Sequence, residues 1–166
     1  SPAWFLAQLA RERGDTVAAL SQLAIVTGRN ETAWEPNLLE ADLRERRGDA
    51  VGATAALERL LWISPYDNSL HDRLATLASR RGLHGLALRE RRAVLANAPA
   101  DVLTARYEYA RALAASGDVA AAKREVLQIL EQAPSFEKAQ ALLLELRTKP
   151  ADAARRDDAP DAPRFP

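Results

Sequence analysis

Four glycines, Gly14, Gly48, Gly82 and Gly117, recur at spacings of 34, 34 and 35 residues. They sit in RERGD, RRGD, RRGL and ASGD. A period that regular marks a stacked repeat, in which each unit covers its neighbour, rather than a globular core around one cleft. Repeat stacks mostly bind other molecules, so the period already biases function toward recognition.

The neighbours of the glycines align as well. Asp follows three of them, as Asp15, Asp49 and Asp118. Five residues after each Gly stands Ala19, Ala53, Ala87 or Ala122, and seven residues before it stands Ala7, Ala41, Ala75 or Ala110. Nine after come Leu23, Leu57, Arg91 and Val126; twelve after come Val26, Leu60, Val94 and Ile129. Steps of three and four trace one face of an α-helix. The alanines mark where a second helix approaches closely. The Gly suits the left-handed residue that ends one helix, and the following Asp suits the N-cap of the next.

Each Gly is therefore the hinge of a helix pair. The first helices are AWFLAQLARER (3–13), a segment from about Trp34 to Arg47, SLHDRLATLASRR (69–81) and LTARYEYARALAAS (103–116). Three second helices run to a Pro seventeen residues past the Gly, at Pro65, Pro99 and Pro134, where Pro ends the helix. Ser1-Pro2 resembles an N-cap with Pro in the first turn. Thr32 and Glu35 fit a capping box, although Pro36 would equally mark the first turn. SFEKAQALLLELR (135–147) reads as a further amphipathic helix, apolar along Phe136, Ala139, Leu142, Leu143 and Leu146. It would cap the open end of the stack.

This pattern resembles the tetratricopeptide repeat, a helix–turn–helix unit of about 34 residues. The resemblance covers roughly residues 2–134 and rests on period, Gly, Ala and Pro together. It implies an all-α fold: an α-α superhelix of four helix–turn–helix repeats plus the capping helix, over 1–147. It also implies a concave groove lined by the first helix of each pair. Transferred by position, the groove candidates are Trp4, Gln8, Leu38, Asp42, Asp72, Arg73, Thr76, Tyr107, Glu108 and Arg111, with Phe5, Arg11, Leu39, Glu45 and Arg80 beside them. Trp4, Leu38 and Leu39 would alternatively pack between units. The family's best-known ligand, a chaperone C-terminal carboxylate, is held by Lys and Asn side chains. Their slots hold Trp4, Gln8, Leu39 and Ser69 here, and only Arg73 matches, which argues against that ligand. A mixed groove would suit an extended or helical segment with apolar anchors.

The chain departs from the pattern in places. TGRNET replaces the closing Pro of the first unit, and Arg91 stands in a slot that is otherwise Leu or Val. An Arg there is expected to lay its methylene stem along apolar surface and keep its head in water, with a buried ion pair as the alternative. The tail, 148–166, carries several Pro, mixed charges and one aromatic, Phe165. Too little of it is apolar to offset chain entropy, so disorder is expected after about Lys149.

Composition limits the function classes. The 166 residues are 48% hydrophobic, enough for a substantial core, and the 23 basic and 23 acidic residues cancel. A nucleic-acid partner is not expected, because that affinity needs a basic excess to release counterions. The patches LRERR and RERR read as solvated mixed-charge helix faces. There is no Cys, which leaves the compartment open. No apolar run is long enough to span a membrane. The chain has no Met and starts inside a helical pattern, so it is read as a piece of a longer polypeptide or a processed form. Its Arg-over-Lys and Ala bias is associated with GC-rich bacterial genomes.

No catalytic set emerges. His71 and His84 have no partner at ligand spacing and read as packing or surface residues. Gly82-Leu-His-Gly85 is a turn signal, not a phosphate loop. No cofactor and no metal site is expected, and the expected partner is a protein or peptide. Three readings stay open. The first is a non-catalytic interaction scaffold. The second is an accessory domain of a larger enzyme, since 56–146 resembles the C-terminal repeat region of some bacterial aminopeptidase-like zinc metallopeptidases, without their zinc motif. The third is a self-association module using the uncapped first helix, which carries Trp4, Phe5, Leu6 and Leu9.

Overall fold

The computed structural model describes residues 1–148; the remainder of the tail read above lies outside the described residues. Among the described residues the regular structure is entirely α-helical. In order the helices are α1 (Pro2–Glu12), α2 (Thr16–Arg29), α3 (Trp34–Arg46), α4 (Ala50–Ile63), α5 (Asn68–Arg80), α6 (His84–Ala96), α7 (Val102–Ala115), α8 (Val119–Gln132) and α9 (Glu137–Thr148). They form helix–turn–helix pairs: α1 packs on α2, α3 on α4, α5 on α6 and α7 on α8. The chain divides into two compact units, Ser1–Asn97 and one that begins at Ala98.

All four repeat glycines sit at positive φ, between 70° and 94°. Each closes its first helix by the same device. The N–H after the Gly reaches back five residues: Asp15 to the Ala10 carbonyl, Asp49 to Arg44, Leu83 to Ala78 and Asp118 to Leu113, at 2.9–3.0 Å. This is the Schellman closure, and it needs a left-handed residue that glycine adopts without a Cβ penalty. The next helix is then capped by the Asp that follows. Asp15, Asp49 and Asp118 accept from the N–H groups of Ala18, Gly52 and Ala121 at 2.9–3.0 Å. Asp67 and Asp101 cap α5 and α7 in the same way.

The capping box expected at Thr32 does not form. Ala33 is the N-cap of α3, without a side-chain bond, and Pro36 lies in the first turn. Thr32 instead turns back on Asn30, whose Oδ1 accepts from both the Thr32 N–H and its hydroxyl. Asn30 thus supplies the turn that Pro supplies elsewhere, by the Asx geometry open to that side chain. The extra residue of the last period lies in the α6–α7 connection, 97–101, where Ala98 adopts φ 49°.

The small-residue ladder is the packing seam. Ala7, Ala19, Ala41, Ala53, Ala75, Ala110 and Ala122 are fully buried, and Ala87 nearly so. In the first unit, Leu57 and Leu60 of α4 meet Ala41 of α3 and Leu70, Leu74 and Leu77 of α5. Leu23 of α2 meets Ala7 of α1 and Leu39 and Leu43 of α3. Within this unit each pair therefore buries apolar surface against the next, which is how a repeat too thin to have its own core becomes stable. In the second unit α9 packs on α8 and touches α7. Ala139, Leu142 and Leu146 are its buried face.

Asp49 carries a pH dependence. The Gly52 N–H, and after it the Arg44 guanidinium, hold its carboxyl below its ordinary value of 3.8. A depressed carboxylate stabilises the fold above its unfolded pKa, and that stabilisation disappears as pH falls through the folded pKa. The window is therefore below about pH 5. Asp49→Asn should flatten the acid side of the stability curve relative to wild type and leave its shape above pH 6 unchanged. Urea unfolding at a series of pH values reads this directly; equal acid slopes in both proteins would contradict it.

Candidate functional site

The first helices of the first unit, α1, α3 and α5, carry most of the groove candidates. Two of these side chains are joined across repeats. Arg73 on α5 donates from Nη2 to Asp42 Oδ1 at 2.7 Å and to Glu45 Oε1 at 2.7 Å, both on α3. Its Nε also reaches Glu45, at 3.1 Å. Burial opposes the charge on Arg73, but the bonds to Glu45 and Asp42 outweigh it and raise its pKa above the usual arginine value. Arg73 is therefore a fixed cation between two fixed carboxylates.

A second tie lies beside it. Asp72 and Thr76 of α5 both accept from Arg91 of α6. Arg91 is only 9% exposed. Its head does not simply rest in water, as expected from the sequence. It lies on a carboxylate whose own side chain is 60% exposed. The apolar slot holds the stem, and Asp72 carries the charge outward to the rim, which avoids the cost of an unpaired buried ion. Among these side chains, Asp42, Glu45 and Asp72 outnumber Arg73 and Arg91 by one charge.

The apolar candidates are engaged in packing. Trp4 is half-buried against the cluster of Ala7, Ala19, Leu23, Leu39 and Leu43, and it lines a cleft of about 320 Å³ with Ile25, Arg29 and Pro36. Leu38 packs on the cluster around Leu57 and Leu60. Gln8 is half-buried on α1. Phe5, by contrast, is 65% exposed. In the second unit, Tyr107 on α7 stacks at a tilt on Phe136, with ring centroids 6.0 Å apart. The Arg111 guanidinium lies 5.9 Å from the Tyr107 ring centre, and Arg111 faces Glu108 at 3.7 Å. The structure thus brings Asp42 to Arg73, Asp72 to Thr76 through Arg91, and Tyr107 to Arg111.

Sequence reasoning missed a set of polar ties between the two helices of a pair. The position eleven residues before the Gly is Asn37, His71 or Arg106 in the last three pairs. Asn37 Oδ1 accepts from Arg59 Nε at 2.6 Å, and Arg59 also pairs with Glu40 at 2.7 Å. His71 Nδ1 lies 2.6 Å from Glu90 Oε2, and its Nε2 lies 2.9 Å from the Pro65 carbonyl. A carbonyl only accepts, so Nε2 carries a proton. Arg106 meets Glu125 at 2.8 Å and also Gln128. The signal was available: a polar residue at the same register in three consecutive pairs, on an otherwise apolar seam. These ties are internal and mostly shielded, so they orient helices rather than present chemistry to a ligand. Among the described residues no group of three or more His, Cys, Asp or Glu side chains gathers as a metal site would, and no helix is long and apolar enough to cross a membrane.

No family model matches the chain, and no curated protein matches its sequence. Solved structures do resemble it. MamA from Desulfovibrio magneticus RS-1, residues 41 to the end, superposes with a TM-score of 0.64 at 21% identity, over 87% of this chain and 81% of that one. A tetratricopeptide repeat protein from Parabacteroides merdae superposes with a TM-score of 0.67 at 17% identity, over 88% of this chain and 59% of that one. A Thermobaculum terrenum O-GlcNAc transferase mutant matches at 27% identity with a TM-score of 0.52, over 68% of this chain but only 21% of that chain. The fold is that of a tetratricopeptide repeat array. None of these three is a zinc metallopeptidase, and that sequence impression gains no support from them.

Proposed function

We propose that the chain is a non-catalytic protein-interaction scaffold, and that the first-helix face of its repeats docks a segment of a partner protein. The observation that carries this reading is the Arg73–Asp42–Glu45 cluster. It holds charged groups from two successive repeats in one fixed arrangement, so a single bound segment would meet both repeats at once. Preorganised charge of this kind selects partners and speeds encounter more than it adds raw affinity. Gln8, Asp72 and Thr76 would flank the cluster, with Trp4 and Leu38 giving partial apolar contact. Tyr107, Glu108 and Arg111 present aromatic and charged groups on the corresponding helix of the second unit.

The test is affinity capture from the source organism with quantitative mass spectrometry. Arg73→Glu places three carboxylates together and should reduce the specific partner by about tenfold or more. The exchange Asp42→Arg with Arg73→Asp keeps an internal pair while reversing the presented pattern, and it should also lose the partner at near-normal stability. An unchanged capture profile in both variants would sink the reading.

The similarity to a short part of an O-GlcNAc transferase supports a second reading, in which these repeats are the recognition arm of a larger enzyme. There the same face would bind that enzyme's protein substrate. Sequencing the complete reading frame separates the two: an adjoining catalytic domain favours the second, and its absence excludes it.

A further inference from the structure

On the second-helix side of the first unit, a groove of about 600 Å³ opens among α4, α5 and α6. Leu61, Pro65 and Leu74 give it an apolar lining, and Trp62 and Glu58 stand along α4 one turn apart. Trp62 is 89% exposed, and Tyr66, next to Pro65, is 80% exposed. So exposed a Trp adds almost nothing to the fold, and two such aromatics beside an apolar groove mark a recognition surface.

The charges of the groove are unequal in availability. Glu90 is occupied, with Oε2 on His71 and Oε1 accepting from Arg89 at 2.7 Å. Both ring nitrogens of His71 are used. Glu58 is exposed and has no ion pair or hydrogen bond among the described residues. The lining thus offers a hydrophobic floor, an indole face and one uncompensated carboxylate next to it. That combination matches a Lys or Arg side chain, whose stem lies on the ring while its head meets the carboxylate. A neighbouring aliphatic side chain would fill the floor between Leu61 and Leu74. A phosphate or nucleic-acid backbone would be repelled by Glu58.

We propose that this groove is a second docking site, separate from the first-helix face, for an extended peptide segment carrying a basic residue beside an aliphatic one. It does not depend on the docking role given to Arg73. The variants Trp62→Ala and Glu58→Gln change only exposed side chains, so the fold should survive, as circular dichroism would verify.

The experiment is a peptide array probed with the purified chain. Each member pairs Lys or Arg with Leu or Val at a varied offset, and a matched member has Glu in place of the basic residue. Basic–aliphatic members should bind in preference to their Glu counterparts. Hits remeasured by fluorescence anisotropy should weaken by about fivefold or more in Trp62→Ala and in Glu58→Gln, and stay unchanged in Arg73→Glu. The proposal is overturned if no basic member exceeds its Glu match, or if the preference survives both substitutions. It is also overturned if the chain forms a concentration-dependent dimer that Trp62→Ala abolishes, because the occupant is then a second copy. Loss in Arg73→Glu alone would assign the peptides to the first-helix face and likewise overturn it.

Discussion

Leu57→Ala should cost the first unit about 2–5 kcal/mol, the range for truncating a buried Leu into a site that relaxes only partly. Leu57 is fully buried. It sits where α4 meets α3 and α5, among Ala41, Leu60, Leu70 and Leu74. Ala41 has no side chain that can swing into the void, so any relaxation must come from Leu60, Leu70 and Leu74. Because the residue belongs to the seam between successive pairs, the loss should appear as a lower urea midpoint across the whole first unit. Val51→Ala on the same helix, at an exposed position, should change stability by less than about 0.5 kcal/mol. Equal effects at the two sites would mean that the ladder is not the core.

Glu90→Ala should cost about 2–4 kcal/mol. Glu90 is 3% exposed, and its carboxylate faces a His71 that is itself buried and held on the Pro65 carbonyl. Removing it leaves a buried imidazole nitrogen without a partner, and the penalty is mainly that desolvation. The Arg89 arm adds little, since the Arg89 side chain is largely in solvent. A double-mutant cycle with His71→Ala should return a coupling of about 1–3 kcal/mol. A coupling near zero would show that the pair does not tie α5 to α6.

These two sites differ in how far the sequence reveals them. Leu57 is legible because its slot recurs: Leu23, Leu57 and Val126 share one register, and a strict period converts directly into a helix face. The alanine seam and the Gly–Asp junctions are legible for the same reason. His71 is half legible, since it shares a polar register with Asn37 and Arg106, but its partner Glu90 is not, because the contact joins residues nineteen apart and no other pair uses the same two residue types. Arg91 shows the intermediate case. Its slot was evident and its burial was foreseeable, but its partner Asp72 depends on how α6 is rotated against α5. Thr32 shows a local rule losing to a local competitor, since Asn30 takes the hydroxyl that the capping box would have used. Trp62 and Tyr66 carry no repeat signal: they lie at the end of α4 and in the turn after it, outside the repeating slots. Asp42 and Arg73 could be named as first-helix positions from the register alone, whereas the ion pair that joins them needed coordinates.

If a partner segment lies on the first-helix face, as proposed, site-specific photo-crosslinking will find it there. A photoreactive residue placed at Gln8, Asp42 or Thr76 is compared with one at Val17 or Val51, which are exposed on α2 and α4. One partner should crosslink from the first-helix positions and not from Val17 or Val51. Crosslinks to that partner only from Val17 and Val51, with none from Gln8, Asp42 or Thr76, would contradict it.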